Sequence, residues 1–347
     1  MSLLLALLVG AGLSGGVCAA LIRWGPRDQP GGHKVHLTAT PVAGGLGVWA
    51  GTLVAMWLAP VTGSSSLGSP WAPLILLTLA SFGMTLGLID DIKVVPTRTK
   101  LLLLSIAAAA AAPALRADLG FLPVGLPVLL AVLLGLAGSW LWIMVCTNAV
   151  NFMDGSNGLA LGSVAVSLLC LAGLAALERD AGMAMVLALA GAAGCAGFLV
   201  WNLTGRLFAG DTGSLFIGLW FAGTGLLATQ QGVNAALVAL CLLPVLADVI
   251  LTIVWRARHD GGLRVLTQPH RHHLYQWLRR SGVPAMRVAL IWWAATGLCG
   301  AVALGLVASG LDQGWTPLLV LLAAAMLAAL IGRSVRQRIG PPAAAGS

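Results

Sequence analysis

The sequence predicts an all-α integral membrane protein, a bundle of about eleven transmembrane helices with its N-terminus outside and its C-terminus in the cytoplasm. Three observations lead there. Of the 347 residues, 59% are apolar and only 9% are charged, where a soluble domain carries about 25% charged residues. Apolar stretches close to spanning length recur along the whole chain. The basic residues gather in alternate connections between those stretches.

The stretches lie near 3–22, 44–61, 71–89, 101–117, 126–146, 158–177, 183–202, 214–231, 233–255, 286–308 and 317–332. In the first, Arg23 follows the apolar run instead of preceding it, so the segment reads as a retained span and not as a signal peptide. The second and eighth are short or glycine-rich, which weakens the spanning signal there. The fourth contains a low-complexity, helix-favouring run, Ile106 to Ala112. Threaded with the N-terminus outside, 17 of the 19 basic residues face the cytoplasm, and only Arg116 and Arg179 do not. The +8 net charge is therefore mostly topology and needs no nucleic-acid partner. The six cysteines all fall in apolar runs without CxxC spacing, so neither disulfides nor a cysteine metal site is expected. Trp24, Trp71, Trp201, Trp255 and Trp315 sit near span ends, where an aromatic belt belongs. The longest loop, 256–285, is too small for a core of its own, so residues 1–347 read as one polytopic domain.

The same threading sorts the acids. Asp118, Glu178, Asp180 and Asp312 fall in short outer connections and read as solvated loop charges. Asp28, Asp90, Asp91, Asp154, Asp211 and Asp260 face the cytoplasm, together with all six histidines. Asp248 lies inside the ninth stretch, roughly two turns from its cytoplasmic end. Asp90 and Asp91 close an apolar run side by side, in "GLIDDIK". In "NAVNFMDGSNGLA", Asn148, Asn151, Asp154 and Asn157 recur every three residues and would drift slowly around one face of a helix. Such a row can read a base or sugar by hydrogen bonds, although Asn and Asp beside Gly also simply cap helices. In "RLFAGDTGSLFIG", Asp211 lies between Gly210 and Gly213. That pattern suits phosphate on helix-terminal N–H groups, Mg²⁺ on a carboxylate, or a plain helix cap. "QPHRHHLYQWLRR" places His270, His272 and His273 around Arg271. Phosphate-binding donors fit it better than a zinc site, and a basic loop touching lipid headgroups is the bland reading. "RDQPGGHKVHLTATPVAGGLGV" adds Lys34, again legible as a simple polybasic loop.

Taken in order, "GLIDDIK", "NAVNFMDGSNGLA", "LFAGDTGSL" and "PHRHHLYQ" resemble the polyprenyl-phosphate N-acetylhexosamine-1-phosphate transferases, glycosyltransferase family 4. The resemblance runs from about Asp28 to Gln276. "HKVHLTATPVAGG", "HRHHLYQ" and "LPVLADVIL" look closest to the branch that initiates O-antigen and exopolysaccharide synthesis. His33, Asn157 and Thr204-Gly205-Arg206 depart from the family pattern, at positions bearing on sugar and nucleotide preference.

The resemblance implies a reaction between a UDP-N-acetylhexosamine and undecaprenyl phosphate, giving undecaprenyl-diphospho-sugar and UMP. It also implies Mg²⁺, with Mn²⁺ as an alternative, an active site on the cytoplasmic face of the bacterial inner membrane, and by analogy a homodimer. On that basis Asp90, Asp91 and Asp211 are the expected catalytic residues, with Asp90 on the lipid phosphate and Asp91 and Asp211 on the metal. Asn148, Asn151, Asp154 and Asn157 are expected at the uridine and sugar. Lys34, Lys100, Arg206, His270, Arg271, His272 and His273 are expected at phosphates. Phe208 is expected either to stack on uracil or to sit as an interfacial Phe. The rival class is a transporter or channel for a small anionic solute, favoured by Asp248 and the glycine-broken spans.

Overall fold

The computed structural model describes residues 1–28, 40–60, 71–117, 127–178, 181–259 and 271–339. Every one of the expected apolar stretches is a helix. In order they are α1 (Leu3–Trp24), α2 (Gly45–Leu58), α3 (Ala72–Ile92), α4 (Thr97–Ala111), α5 (Val128–Met153) and α6 (Leu159–Leu177). Then follow α7 (Gly182–Asn202), α8 (Gly210–Gln230), α9 (Ala235–His259), α11 (Ala285–Ala308) and α12 (Thr316–Ile339). A short helix, α10 (Leu274–Arg280), and a hairpin of β1 (Arg27–Asp28) and β2 (Thr40–Pro41) complete the described elements. The hairpin is antiparallel, pairing Arg27 with Pro41 and Asp28 with Thr40.

Nine helices among the described residues are long and apolar enough to cross a bilayer. The other two, α2 with 14 residues and α4 with 15, are shorter than the sequence expectation. At 1.5 Å per residue they reach only about 21–23 Å of a ~30 Å hydrocarbon core. Proline sets both limits: α2 stops just before Pro60, while α4 begins after Pro96 and stops just short of Pro113.

Helix α8 is the axis of the bundle. It is buried without a break from Thr212 to Thr229, and α2, α3, α5, α6, α7 and α9 all pack on it. The most extensive seam is with α3, where a Cβ added at Gly87 would collide with the Asp211 carbonyl. Small residues at such seams let backbones approach, the usual device where lipid provides no hydrophobic drive between helices. Polar side chains pin other seams: Ser14 Oγ donates to the Gly194 carbonyl at 2.7 Å and Trp201 Nε1 to the Gly15 carbonyl at 2.9 Å. Each such bond contributes about 0.6–1.7 kcal/mol.

The polar residues divide between the two ends. At one end Gln230 reaches the carbonyls of Ala114 and Arg116, and Asn234 reaches that of Asp312. At the other, the C-termini of α3, α5 and α9, the N-termini of α4 and α8, and α10 come together. That second end holds the candidate site.

Candidate active site

Asp90 and Asp91 are adjacent on α3, so their side chains point about 100° apart. Asp90 turns toward the α3–α4 connection. Its Oδ1 accepts from the Val95 backbone N–H at 2.7 Å and its Oδ2 from Lys100 Nζ at 2.9 Å. Asp91 turns toward α8. It accepts from the N–H groups of Asp211 at 2.9 Å and Thr212 at 3.1 Å, and from the Thr212 hydroxyl at 2.5 Å. These are the donors that a helix start leaves without intrahelical partners. Asp91 therefore caps α8 from a helix 120 residues earlier in the chain. Gly210 makes room for it, with φ +69° and no side chain where the Asp91 carboxylate lies.

With that cap supplied from afar, α8 begins at Gly210, and Asp211 occupies its first turn instead of preceding it. The Asp211 carboxylate pairs with Lys100 Nζ, the same ammonium that Asp90 holds. Asp90, Lys100 and Asp211 thus form one cluster from α3, α4 and α8. A cation held between two carboxylates shows that the donor set suits a positive charge. Hard oxygens in that number suit Mg²⁺, which takes one or two carboxylates and completes its shell with water and phosphate oxygens. No group of three or more His, Cys, Asp or Glu among the described residues forms a cage able to hold a metal unaided.

The amide row divides at the end of α5. Asn148 and Asn151 are helical, Asp154 is the C-cap, and Asn157 lies in the turn beyond it. The helix stops there, so the four do not share one continuous face. Asn151 Nδ2 donates to Ser214 Oγ at 3.0 Å, tying α5 to the first turns of α8. Asn148 Nδ2 returns to its own helix, donating to the Met144 carbonyl at 2.8 Å. Burial pushes the Asp154 carboxyl well above the usual carboxylate range, and the neighbouring Asp211 and Asp91 carboxylates push the same way. The Asn157 amide lies against Gly205, in the turn that leads to Arg206.

Phe208 is half-buried three residues before Asp211, and its backbone is clamped between two others. Its N–H donates to the Pro41 carbonyl at 2.9 Å, and its carbonyl accepts from Gly44 N–H at 3.0 Å. The end of the first polar loop is thereby seated at the entrance to α8. Lys34, in the middle of that loop, lies outside the described residues, as does His270. Arg206 is exposed, with its guanidinium 6.0 Å from the Trp201 ring centroid.

The His-Arg motif is built differently from the expectation. Arg271 is exposed, but His272 and His273 pack inward. The His273 ring stacks near Tyr275 at 5.9 Å and approaches Phe152 at 6.0 Å, while His272 lies 5.4 Å from Trp255. Asp248, which looked like a pathway residue, caps α10: Oδ1 accepts from Leu274 N–H at 2.7 Å and Oδ2 from Tyr275 N–H at 3.2 Å. A carboxylate on α9 thus satisfies backbone groups at the membrane boundary. Asp248→Ala should destabilise the fold by about 1–2 kcal/mol. It should also speed backbone hydrogen exchange across 274–280; unchanged exchange there would refute the cap.

Two residues at this end escaped sequence reasoning. Tyr275, the chain's one tyrosine, is 2% exposed and donates its hydroxyl to the Phe152 carbonyl at 3.2 Å, beside Gly155. It joins α10 to the Asp154 turn. Asn202 Oδ1 accepts from Gly158 N–H at 2.6 Å, and its Nδ2 donates to the Leu207 carbonyl at 2.9 Å. It clasps the two loops that flank the site. The only hint of Asn202 was a polar residue ending an apolar stretch.

Buried helices of a membrane-type bundle thus converge on an acidic cluster with one shared lysine, gathered at one end of the bundle rather than strung along a path through it. The model of "glycosyl transferase family 4" matches residues 73–229, which run from the start of α3 to the end of α8. A Mycobacterium tuberculosis decaprenyl-phosphate N-acetylglucosaminephosphotransferase is 30% identical over 80% of this chain and 74% of its own length. The phospho-N-acetylmuramoyl-pentapeptide-transferase of Desulforudis audaxviator is 32% identical over 82% of this chain and 92% of its own. That of Moorella thermoacetica is 30% identical over 79% and 86%. The chain belongs to this family of polyprenyl-phosphate phosphosugar transferases. Relatives of both the N-acetylglucosamine and the muramoyl-pentapeptide kinds match at similar identity, so the likeness does not single out an O-antigen branch.

Proposed function

We propose that the protein transfers N-acetylhexosamine 1-phosphate from a UDP-sugar to undecaprenyl phosphate, releasing UMP, as the first step of a cell-surface glycan. The observation that carries this reading is the Asp90–Lys100–Asp211 cluster where α3 ends and α4 and α8 begin, in a chain of this family. The 17 basic residues assigned to one side support a cytoplasmic site in the inner membrane.

In the proposed step an oxygen of the lipid phosphate attacks the sugar-linked phosphorus of the donor. The new P–O bond forms as the bond to the bridging oxygen breaks, and UMP departs with that oxygen. A phosphate monoester has a second pKa near ~6, so the lipid phosphate is largely dianionic at neutral pH and needs little base. Asp90, held by Val95 N–H and Lys100, acts by positioning. Both substrates are anions, so charge neutralisation dominates the barrier. Lys100 supplies one positive charge, and the exposed Arg206 and Arg271 are the further candidates to meet phosphates. Bound Mg²⁺, with Mn²⁺ as a substitute, would sit on Asp211 and supply the remaining neutralisation. Asp91 takes part by fixing the first turn of α8, and a metal would reach only those lone pairs its α8 hydrogen bonds leave over. Asn151, Asp154 and Asn157 line the approach for uridine and sugar recognition.

The test is purified protein with undecaprenyl phosphate and a panel of UDP-N-acetylhexosamines, read by UMP release. One donor should give turnover that chelation abolishes and added Mg²⁺ restores. No release with any donor would refute the assignment.

A further inference from the structure

The family match ends at residue 229, yet the last helix reaches back toward the site. Arg336, on α12, is half-buried among residues of α9 and the His-Arg segment. Its Nη2 donates to Thr252 Oγ1 at 2.8 Å and to the His272 carbonyl at 3.3 Å. Its guanidinium lies 5.8 Å from the ring centroids of both Trp255 and Trp277. Those two rings meet edge to face at 6.3 Å, and Trp255 also contacts the His272 ring. A planar guanidinium can lie against rings and hydrogen-bond through its fixed fork at once, a geometry the compact ammonium of lysine does not reproduce.

The contacts continue inward from there. Thr252 Oγ1 is 3.4 Å from Asp248 Oδ1, the oxygen that caps α10. Tyr275 of α10 holds the Phe152 carbonyl and lies against Gly155, next to Asp154. Asn151, three residues before Asp154, donates to Ser214 Oγ in the first turns of α8 at 3.0 Å, which seats the end of α5 against the helix that carries Asp211.

We propose that Arg336 is a positioning residue. It clamps the segment from Arg271 to Tyr275 onto α9 and so holds the Asp154 turn in place beside the acidic cluster. Arg336 touches no reacting group. Its effect on turnover rests on the function proposed above; its effect on the segment does not.

The experiment uses the full chain in detergent or nanodiscs with R336A, R336K and T252V. Backbone hydrogen exchange across 271–280 should accelerate about tenfold in R336A and in T252V, less in R336K, and stay unchanged along α8. In the same proteins KM for the UDP-sugar should rise by about fivefold to tenfold, while KM for undecaprenyl phosphate stays within about twofold. If R336A does not fold, T252V, which keeps the arginine, decides the matter. Wild-type exchange across 271–280 in these variants overturns the clamp. Faster exchange with both KM values unchanged also overturns the positioning role, leaving Arg336 as scaffold. If the wild type releases no UMP from any donor, the proposed function fails while the exchange result still judges the clamp.

Discussion

Asp211→Asn should release UMP about 10²–10³-fold more slowly than the wild type while unfolding at nearly the same temperature. The substitution is isosteric and removes one negative charge. Fold is little affected because Asp211 holds α8 through its backbone, whose N–H donates to Asp91. Lys100 also keeps a partner, since Asp90 remains 2.9 Å away. What is lost is the carboxylate that the first turn of α8 presents to a cation. Isothermal titration with Mg²⁺ should show the matching loss of metal affinity. Turnover within about tenfold of wild type would remove Asp211 from the centre of the chemistry.

Lys100→Gln should lower turnover and tighten metal binding together. The ammonium now neutralises Asp90 and Asp211 at once. Without it the two carboxylates face each other unshielded, and a divalent cation gains from the extra negative field. Near a protein surface a unit charge at about 4 Å is worth up to ~4 kcal/mol, so Mg²⁺ affinity should rise by at least about tenfold. Turnover should nevertheless fall by about 10²-fold or more, because two anionic substrates lose a fixed positive charge. Titration calorimetry and UMP release give the two readings. Weaker Mg²⁺ binding in Lys100→Gln would show that metal and lysine do not share these carboxylates.

The sequence made the bundle legible for a simple reason. Lipid forces every spanning segment to be a long apolar helix, and that requirement is written locally. Helix ends were less legible where their partners are remote. The eighth stretch looked as if it opened at Ser214, but α8 starts four residues earlier because Asp91 of α3 caps it. Asp248 was conspicuous, but its role was not legible, since the N–H groups it satisfies belong to α10, 26 and 27 residues away. His272 and His273 looked like phosphate donors, and ring packing with Trp255, Phe152 and Tyr275 turns them inward. Tyr275 carries no local signal and Asn202 only a faint one, because what they do is join loops distant in the chain. The adjacent aspartates were the clearest mark of the site. Two like charges at a membrane edge are costly, so each must have its own partner.

Helix α8 has the lowest mean hydropathy of the nine long apolar helices, and it is the one fully enclosed by protein. A segment of that kind gains little from oil and much from company. During synthesis it should enter the bilayer poorly by itself and settle only once α2, α3, α5 and α7 stand ready to receive it. The carboxylate on its first turn is thus delivered late, by assembly, and a half-built bundle lacks the Asp90–Lys100–Asp211 cluster.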